Sequence, residues 1–124
     1  WILMPCYAGR IHNIEKTSES ILMTFLKSGG AIYIGGTEMQ MGGVITTSGV
    51  SVGTDKCNLG GDKLTGNLYT RLSKGFSIGK RIGDVFKEKK IEYYNIYKSD
   101  ACAFKIAHQT LLYGDPTIKI KSMW

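Results

Sequence analysis

The stretch ILMPCYAGRIHN, residues 2–13, sets a cysteine directly behind an apolar run. Cys6 follows Pro5, and Tyr7, Ala8 and Gly9 follow it. Open parallel sheets hold their active sites just past the carboxyl ends of strands, where this cysteine stands. The small residues after it let a substrate backbone approach. The amide of Cys6 itself can help to hold an oxyanion. The competing reading is a structural cysteine, because free cysteine is among the most buried residue types. His12 lies six residues on. It reaches Cys6 only if the loop folds back, since a general base needs hydrogen-bond reach of about 3 Å. His108 falls in a helical stretch and reads as a packed or surface histidine. No third group to orient a base stands out.

A second candidate site is YIGGT, residues 33–37. It has neither the GxxxxGK[ST] nor the GxGxxG spacing of a phosphate loop. The bare backbone of Gly35 and Gly36 suits pairing with an extended peptide. Thr37 and Glu38 then stand where a side chain of that peptide enters. Asp55 and Asp62 lie in or beside the loop that follows, and no Lys or Arg occurs between Ala31 and Asp55. A carboxylate in such a pocket favours a cationic side chain, and a guanidinium can bind it bidentately. The alternative for Glu38 is a solvated loop carboxylate. The three cysteines, Cys6, Cys57 and Cys102, lack metal-ligand spacing. Their odd count argues against a complete disulfide framework, although a 57–102 pair is open to an exported protein. No metal or cofactor is expected.

The elements that must position these residues follow from the pattern of apolar side chains. WILMP and AIYIGG are continuous apolar runs, as in strands covered on both faces. Between them TSESILMTFLKSGG reads as a helix over 18–28, capped by Thr17 or Ser18, with Ile21, Leu22, Phe25 and Leu26 on one face. It is stopped by Gly29 and Gly30. The pattern predicts that strands 1–6 and 31–36 are adjacent and parallel, with this helix as the crossover. Residues 38–61 form a long glycine-rich loop with a short hairpin in VITTSGVSVGT, and loops of this length are often functional. Leu64, Leu68 and Leu72, four apart, mark a second helix. Ser77 is a candidate cap for a third, with Ile78, Ile82, Val85, Phe86 and Tyr93 on one face. A further helix is expected between Ser99 and Tyr113, containing Phe104, Ile106 and His108. YGDPT reads as a turn and TIKIK as a short terminal strand. The order is that of an α/β domain.

A chain of 124 residues makes one domain and can bury roughly 65% of its unfolded surface. The net charge is +6, carried by 13 Lys and 3 Arg. Its densest part, Lys80, Arg81, Lys87, Lys89 and Lys90, reads as a solvated helix face. Arginine is scarce and no aromatic–basic motif occurs, so nucleic acid is not expected as a partner. No apolar run is long enough to span a membrane. The opening on Trp1, already inside an apolar run, is read as a fragment or one part of a split protein.

The order of features resembles the C-terminal half of the gingipain-like cysteine peptidases, within the caspase-like group. The residues that carry it are Cys-x-x-Gly (Cys6 to Gly9), FLKSGG, AIYIGGT, a G-x-S-I-G helix start (Gly75 to Gly79) and the ending LLYGDPTIKI (Leu112 to Ile118 in the motif). The resemblance implies a three-layer α/β/α sandwich with a mainly parallel sheet, of which residues 1–124 are the C-terminal part. It implies Cys6 as nucleophile and peptide-bond hydrolysis through a thioester. Gly35, Gly36, Thr37 and Glu38 would border the primary specificity pocket. The catalytic histidine of that family, at the end of the preceding strand, has no match here, so the upstream half of the domain or another chain is the expected partner, beside a peptide substrate. A secreted or cell-surface setting is mildly favoured. The rival readings are a non-catalytic caspase-like interaction module and a small α/β ligand-binding domain.

Overall fold

The computed structural model describes residues 9, 11, 20–37, 44–45, 51–52 and 63–121. Over these the order is α1 (Ile21–Lys27), β1 (Ile32–Gly36), β2 (Val44–Ile45), β3 (Ser51–Val52), α2 (Thr65–Gly75), α3 (Ile82–Tyr97), α4 (Ala101–Gln109) and β4 (Thr110–Gly114). The architecture is mixed helix and strand.

Ser20, not Thr17 or Ser18, caps α1. Its side chain accepts from Met23 N at 3.3 Å. The helix closes where Gly29 N and Gly30 N turn back onto the carbonyls of Leu26 and Phe25. β1 follows at once and pairs antiparallel with β4, from Ile32 opposite Gly114 to Gly36 opposite Thr110. The expected parallel partner at 1–6 lies outside the described residues. The short hairpin forms: β2 and β3 pair antiparallel, with Val44 opposite Val52.

Side chains alternate across a strand, so the sheet feeds two cores. Tyr33 and Tyr113 pack on Leu22, Phe25 and Leu26 of α1. Ile34 and Leu112 turn the other way, onto Leu68, Tyr69 and Leu72 of α2, Tyr93 of α3 and Ile106 of α4. The leucines four apart are therefore core residues, as their spacing predicts. Tyr33, Tyr93 and Leu64 are among the side chains fully buried in these cores. Burying one such side chain stabilises by about 1.5–3 kcal/mol before entropy is counted.

Three further elements differ from the sequence pattern. The third helix begins at Ile82 with Arg81 as its N-cap, so Ser77 caps nothing and Ile78 is 64% exposed. The fourth helix ends at Gln109 and the chain becomes strand at Thr110 with no loop between. Thr110 turns its hydroxyl back to Ile106 O at 2.9 Å and is buried. Apolar periodicity cannot separate a helix from a strand that continues it; the pairing with β1 decides. The tail 117–121 is not a full strand. It runs antiparallel past residues 79–82 through a single bridge, Arg81 with Lys119, and bonds from Gly79 N to Ile120 O and from Ile82 N to Ile118 O.

Candidate active site

The candidate site is assembled at the carboxyl end of β1. Gly35 and Gly36 are buried there. Gly9, the last residue of Cys-x-x-Gly, donates its amide to Gly36 O at 2.8 Å. Its own carbonyl accepts from the Tyr113 hydroxyl at 2.7 Å. The fit is tight: a Cβ on Gly9 would stand 3.0 Å from Gly35 O and 3.1 Å from the Tyr113 ring, so its neighbours would have to give by a few tenths of an ångström. Gly9, the last residue of one stretch singled out from the sequence, is thus brought to the end of the other, residues 33–37.

Thr37 is held from inside the protein. Its amide donates to Gln109 O at 3.0 Å and its hydroxyl to the same oxygen at 3.3 Å. The carbonyl of Gly36 is taken by Gly9, so at this point the glycine pair faces its own chain. At the next residue, the first of β4, Thr110 O accepts from Lys90 Nζ at 2.9 Å. Lys90 lies over the Phe86 ring at 5.0 Å, and burial lowers its pKa from the ordinary value. The basic helix face expected from the sequence is therefore not uniform. Lys90 pins the α4–β4 junction across from Gly36, whereas Lys87 is exposed.

Cys6, His12, Glu38, Asp55, Cys57 and Asp62 lie outside the described residues. His108 is exposed on α4, with Nδ1 2.9 Å from Phe104 O and its ring stacked on Phe104. Cys102, buried near the start of α4, is disulfide-bonded. The chain has only two other cysteines, Cys6 and Cys57, so this bond engages at most one of them. Among the described residues, no group of three metal-ligating side chains comes together. None of the described helices is long and apolar enough to cross a membrane.

The stretches that carried the resemblance have structural work of their own. Gly114 has φ +110°, and a Cβ there would lie 2.1 Å from Ala31 O. Asp115 then caps the turn, accepting from Thr117 N at 2.8 Å and Thr117 Oγ1 at 2.6 Å. Pro116 O accepts from Gly83 N at 2.9 Å, which locks the GDPT turn onto the first turn of α3. A family model described as Peptidase family C25 matches residues 1–121.

The chain belongs to peptidase family C25. That is the gingipain family, so the resemblance read from the motifs holds over most of the chain. No curated protein and no solved structure matches the chain. The C25 chain is a cysteine-peptidase-related domain. Sequence reasoning passed over the C25 chain's Tyr113 and Gln109 and read Lys90 as part of a solvated helix face, where the structure turns it onto Thr110 O. Tyr113 stood in the quoted ending LLYGDPT, but nothing in that motif says that its hydroxyl would reach Gly9, 104 residues away in sequence.

Proposed function

We propose that this chain is the nucleophile-bearing part of a cysteine endopeptidase, with Cys6 as nucleophile. The observation that carries the reading is Gly9 bound to Gly36 at the carboxyl end of β1. Three residues of chain span at most about 11 Å, which keeps a nucleophile at Cys6 within reach of the end of β1 where Gly9 is bound. The same bond supports the parallel arrangement. A run over 1–6 that exits beside Gly36 travels in the direction of β1, whereas an antiparallel run would exit beside Ile32. With α1 on one face of the sheet and α2 to α4 on the other, this supports an α/β/α sandwich whose sheet is extended by the 1–6 strand and by strands of an upstream half.

In the mechanism, the Cys6 thiolate attacks the carbonyl carbon of the scissile bond. The oxyanion is held by backbone N–H groups, that of Cys6 among them. The C–N bond breaks and the amine leaves with a proton from a histidine outside this chain. Water then hydrolyses the thioester and restores the thiol. Gly35, Gly36, Thr37 and Glu38 border the primary pocket. Because the donors of Thr37 are satisfied by Gln109, its role is to shape the wall that carries Glu38 toward a cationic substrate side chain. The reading requires a free Cys6, so the disulfide of Cys102 is assigned to Cys57.

The test is hydrolysis of a mixed peptide library by the intact protein, combined with a peptidyl chloromethyl ketone. Stoichiometric alkylation at Cys6 with loss of hydrolysis, and no turnover by Cys6→Ala, is the expected result. Absence of turnover by the wild type, with Cys6 inert to the reagent, removes the peptidase reading in favour of an interaction module.

A further inference from the structure

A polar cleft of about 460 Å³ lies between α2 and α3, and none of its lining residues belongs to the candidate active site. Its walls carry Arg71, Lys74, Lys80 and Lys89 against one carboxylate, Glu92. A second cleft of about 450 Å³ shares Lys80 and adds Arg81 and Lys119, with Asp84 and Glu88.

The cations differ in what they already hold. Arg71 donates Nε to Asn67 Oδ1 at 2.7 Å and pairs through Nη1 with Glu92. Lys89 bridges Glu88 and Glu92, at 2.9 Å to each. Its ammonium keeps both carboxyls below the usual carboxylate range. Glu88 and Glu92 are thereby engaged by Arg71 and Lys89. Lys74 and Lys80 are exposed and make no salt bridge among the described residues. Lys74 and Lys80 share the wall with a guanidinium whose position is fixed by Asn67 and Glu92, Lys80 acting on Glu88 only through its charge, and Thr70 and Ser77 add hydroxyls.

We propose that the two neighbouring clefts are a docking site for an acidic polypeptide segment, in which Asp or Glu alternates with uncharged residues. Lys80 lines both clefts, so their cations offer more than one small anion needs and suit a chain that reaches both. Neither cleft is lined by an aromatic side chain, so nucleic-acid bases find no stacking platform. Asp84, Glu88 and Glu92 also line the clefts. A densely charged polyanion meets repulsion from them, whereas spaced carboxylates can settle between. The site does not depend on the peptidase activity. In a peptidase it would hold a protein substrate or partner apart from the scissile bond.

The test is fluorescence anisotropy of a labelled peptide of alternating Glu and Ser, titrated with the full chain. Saturable binding that weakens between about 50 mM and about 200 mM salt is expected, because the contacts are solvent-exposed charges. The double variant Lys74→Glu/Lys80→Glu should weaken it by about tenfold or more, the effect of reversing two such contacts. The control pair Lys98→Glu/Lys105→Glu makes the same change in net charge at exposed positions that line neither cleft. It should change binding by less than about twofold. All four lysines are exposed, so unchanged thermal melts separate binding from folding. Equal losses from both pairs would reduce the effect to net charge and overturn the site. So would the absence of saturable binding, or tighter binding of a labelled oligothymidylate abolished by the same Lys74/Lys80 pair.

Discussion

The amide of Gly9 meets the carbonyl of Gly36 at 2.8 Å, and this contact ties the Cys-x-x-Gly stretch to the end of β1. The Tyr113 hydroxyl closes the arrangement from β4 by donating to Gly9 O at 2.7 Å. Tyr113→Phe removes that donor and leaves the ring in place. It should cost about 1 kcal/mol of stability, the net worth of one hydrogen bond. Urea unfolding with an unchanged m-value checks this. If Gly9 positions Cys6, turnover should fall by more than the small change in folded population explains. Unaltered turnover would detach Tyr113 from the site.

Two glycines of the resemblance motifs should respond very differently to alanine. Gly114→Ala places a Cβ 2.1 Å from Ala31 O at φ +110°. Backbone must move, and a loss above about 3 kcal/mol is expected, since a left-handed conformation alone costs about 1–2 kcal/mol. Gly79 also has a positive φ, +84°, but no atom lies within 4 Å of its Cβ position. Gly79→Ala should therefore cost only the conformational part, about 1–2 kcal/mol. Equal destabilisation of the two in thermal melts would contradict the assignment of a clash at Gly114.

The disulfide at Cys102 makes the thiol chemistry countable. Under non-reducing conditions the unfolded chain should take up a single equivalent of thiol reagent, and peptide mapping should place it on Cys6. After reduction three equivalents should react, one for each cysteine. Mapping of the free thiol to Cys57 instead would mean that Cys6 is the partner of Cys102, and the nucleophile would be blocked until reduced.

Alkaline unfolding should carry the signature of buried tyrosines. Burial, the largest cause, pushes the Tyr69 pKa up to about 12 from its ordinary 10.0. Thr110, which lies beside the hydroxyl, acts in the other direction and the charge of Tyr33 adds to the rise. Above pH 10 the unfolded chain gives up a proton that the folded chain keeps. The contribution is complete below pH 10 and is lost as pH rises toward 12, at up to about 1.4 kcal/mol per pH unit. The Tyr69 hydroxyl is buried without a hydrogen bond of normal geometry, so Tyr69→Phe should leave stability at pH 7 unchanged or slightly raised. The variant should also flatten the decline between pH 10 and 12, measured by urea midpoints. An unchanged slope would mean that Tyr69 ionises in the folded state as it does in the unfolded one.

Primary specificity is the sharpest consequence of the proposed pocket. A peptide series varied only at the residue before the scissile bond should be cleaved preferentially after Arg or Lys. Glu38→Gln should reduce that preference by roughly 1–3 kcal/mol, the range of a charge-assisted hydrogen bond. Preference for Asp or Asn, or an unchanged profile in the variant, would leave Glu38 a solvated carboxylate.

Much of the helical framework was legible in the residues, because apolar periodicity reports directly which face is buried. Leu64, Leu68 and Leu72 are core as their spacing requires, and α1 stops at its glycine pair. The family was also legible, since Cys6 to Gly9, Gly75 to Gly79 and LLYGDPTIKI are local strings whose order survives without any knowledge of contacts. Tertiary structure decided what depends on partners distant in the chain. Thr110 to Gly114 continue a helical pattern and become a strand because β1 offers them an edge. Lys90 looks like one more surface cation, but the carbonyl of Thr110 takes it inward. The candidate site itself depends on Gly9, Gly36, Gln109 and Tyr113 meeting across as many as 104 residues. Such encounters are set by the packing of α1 against one face of the sheet and α2 to α4 against the other, and no local pattern encodes them.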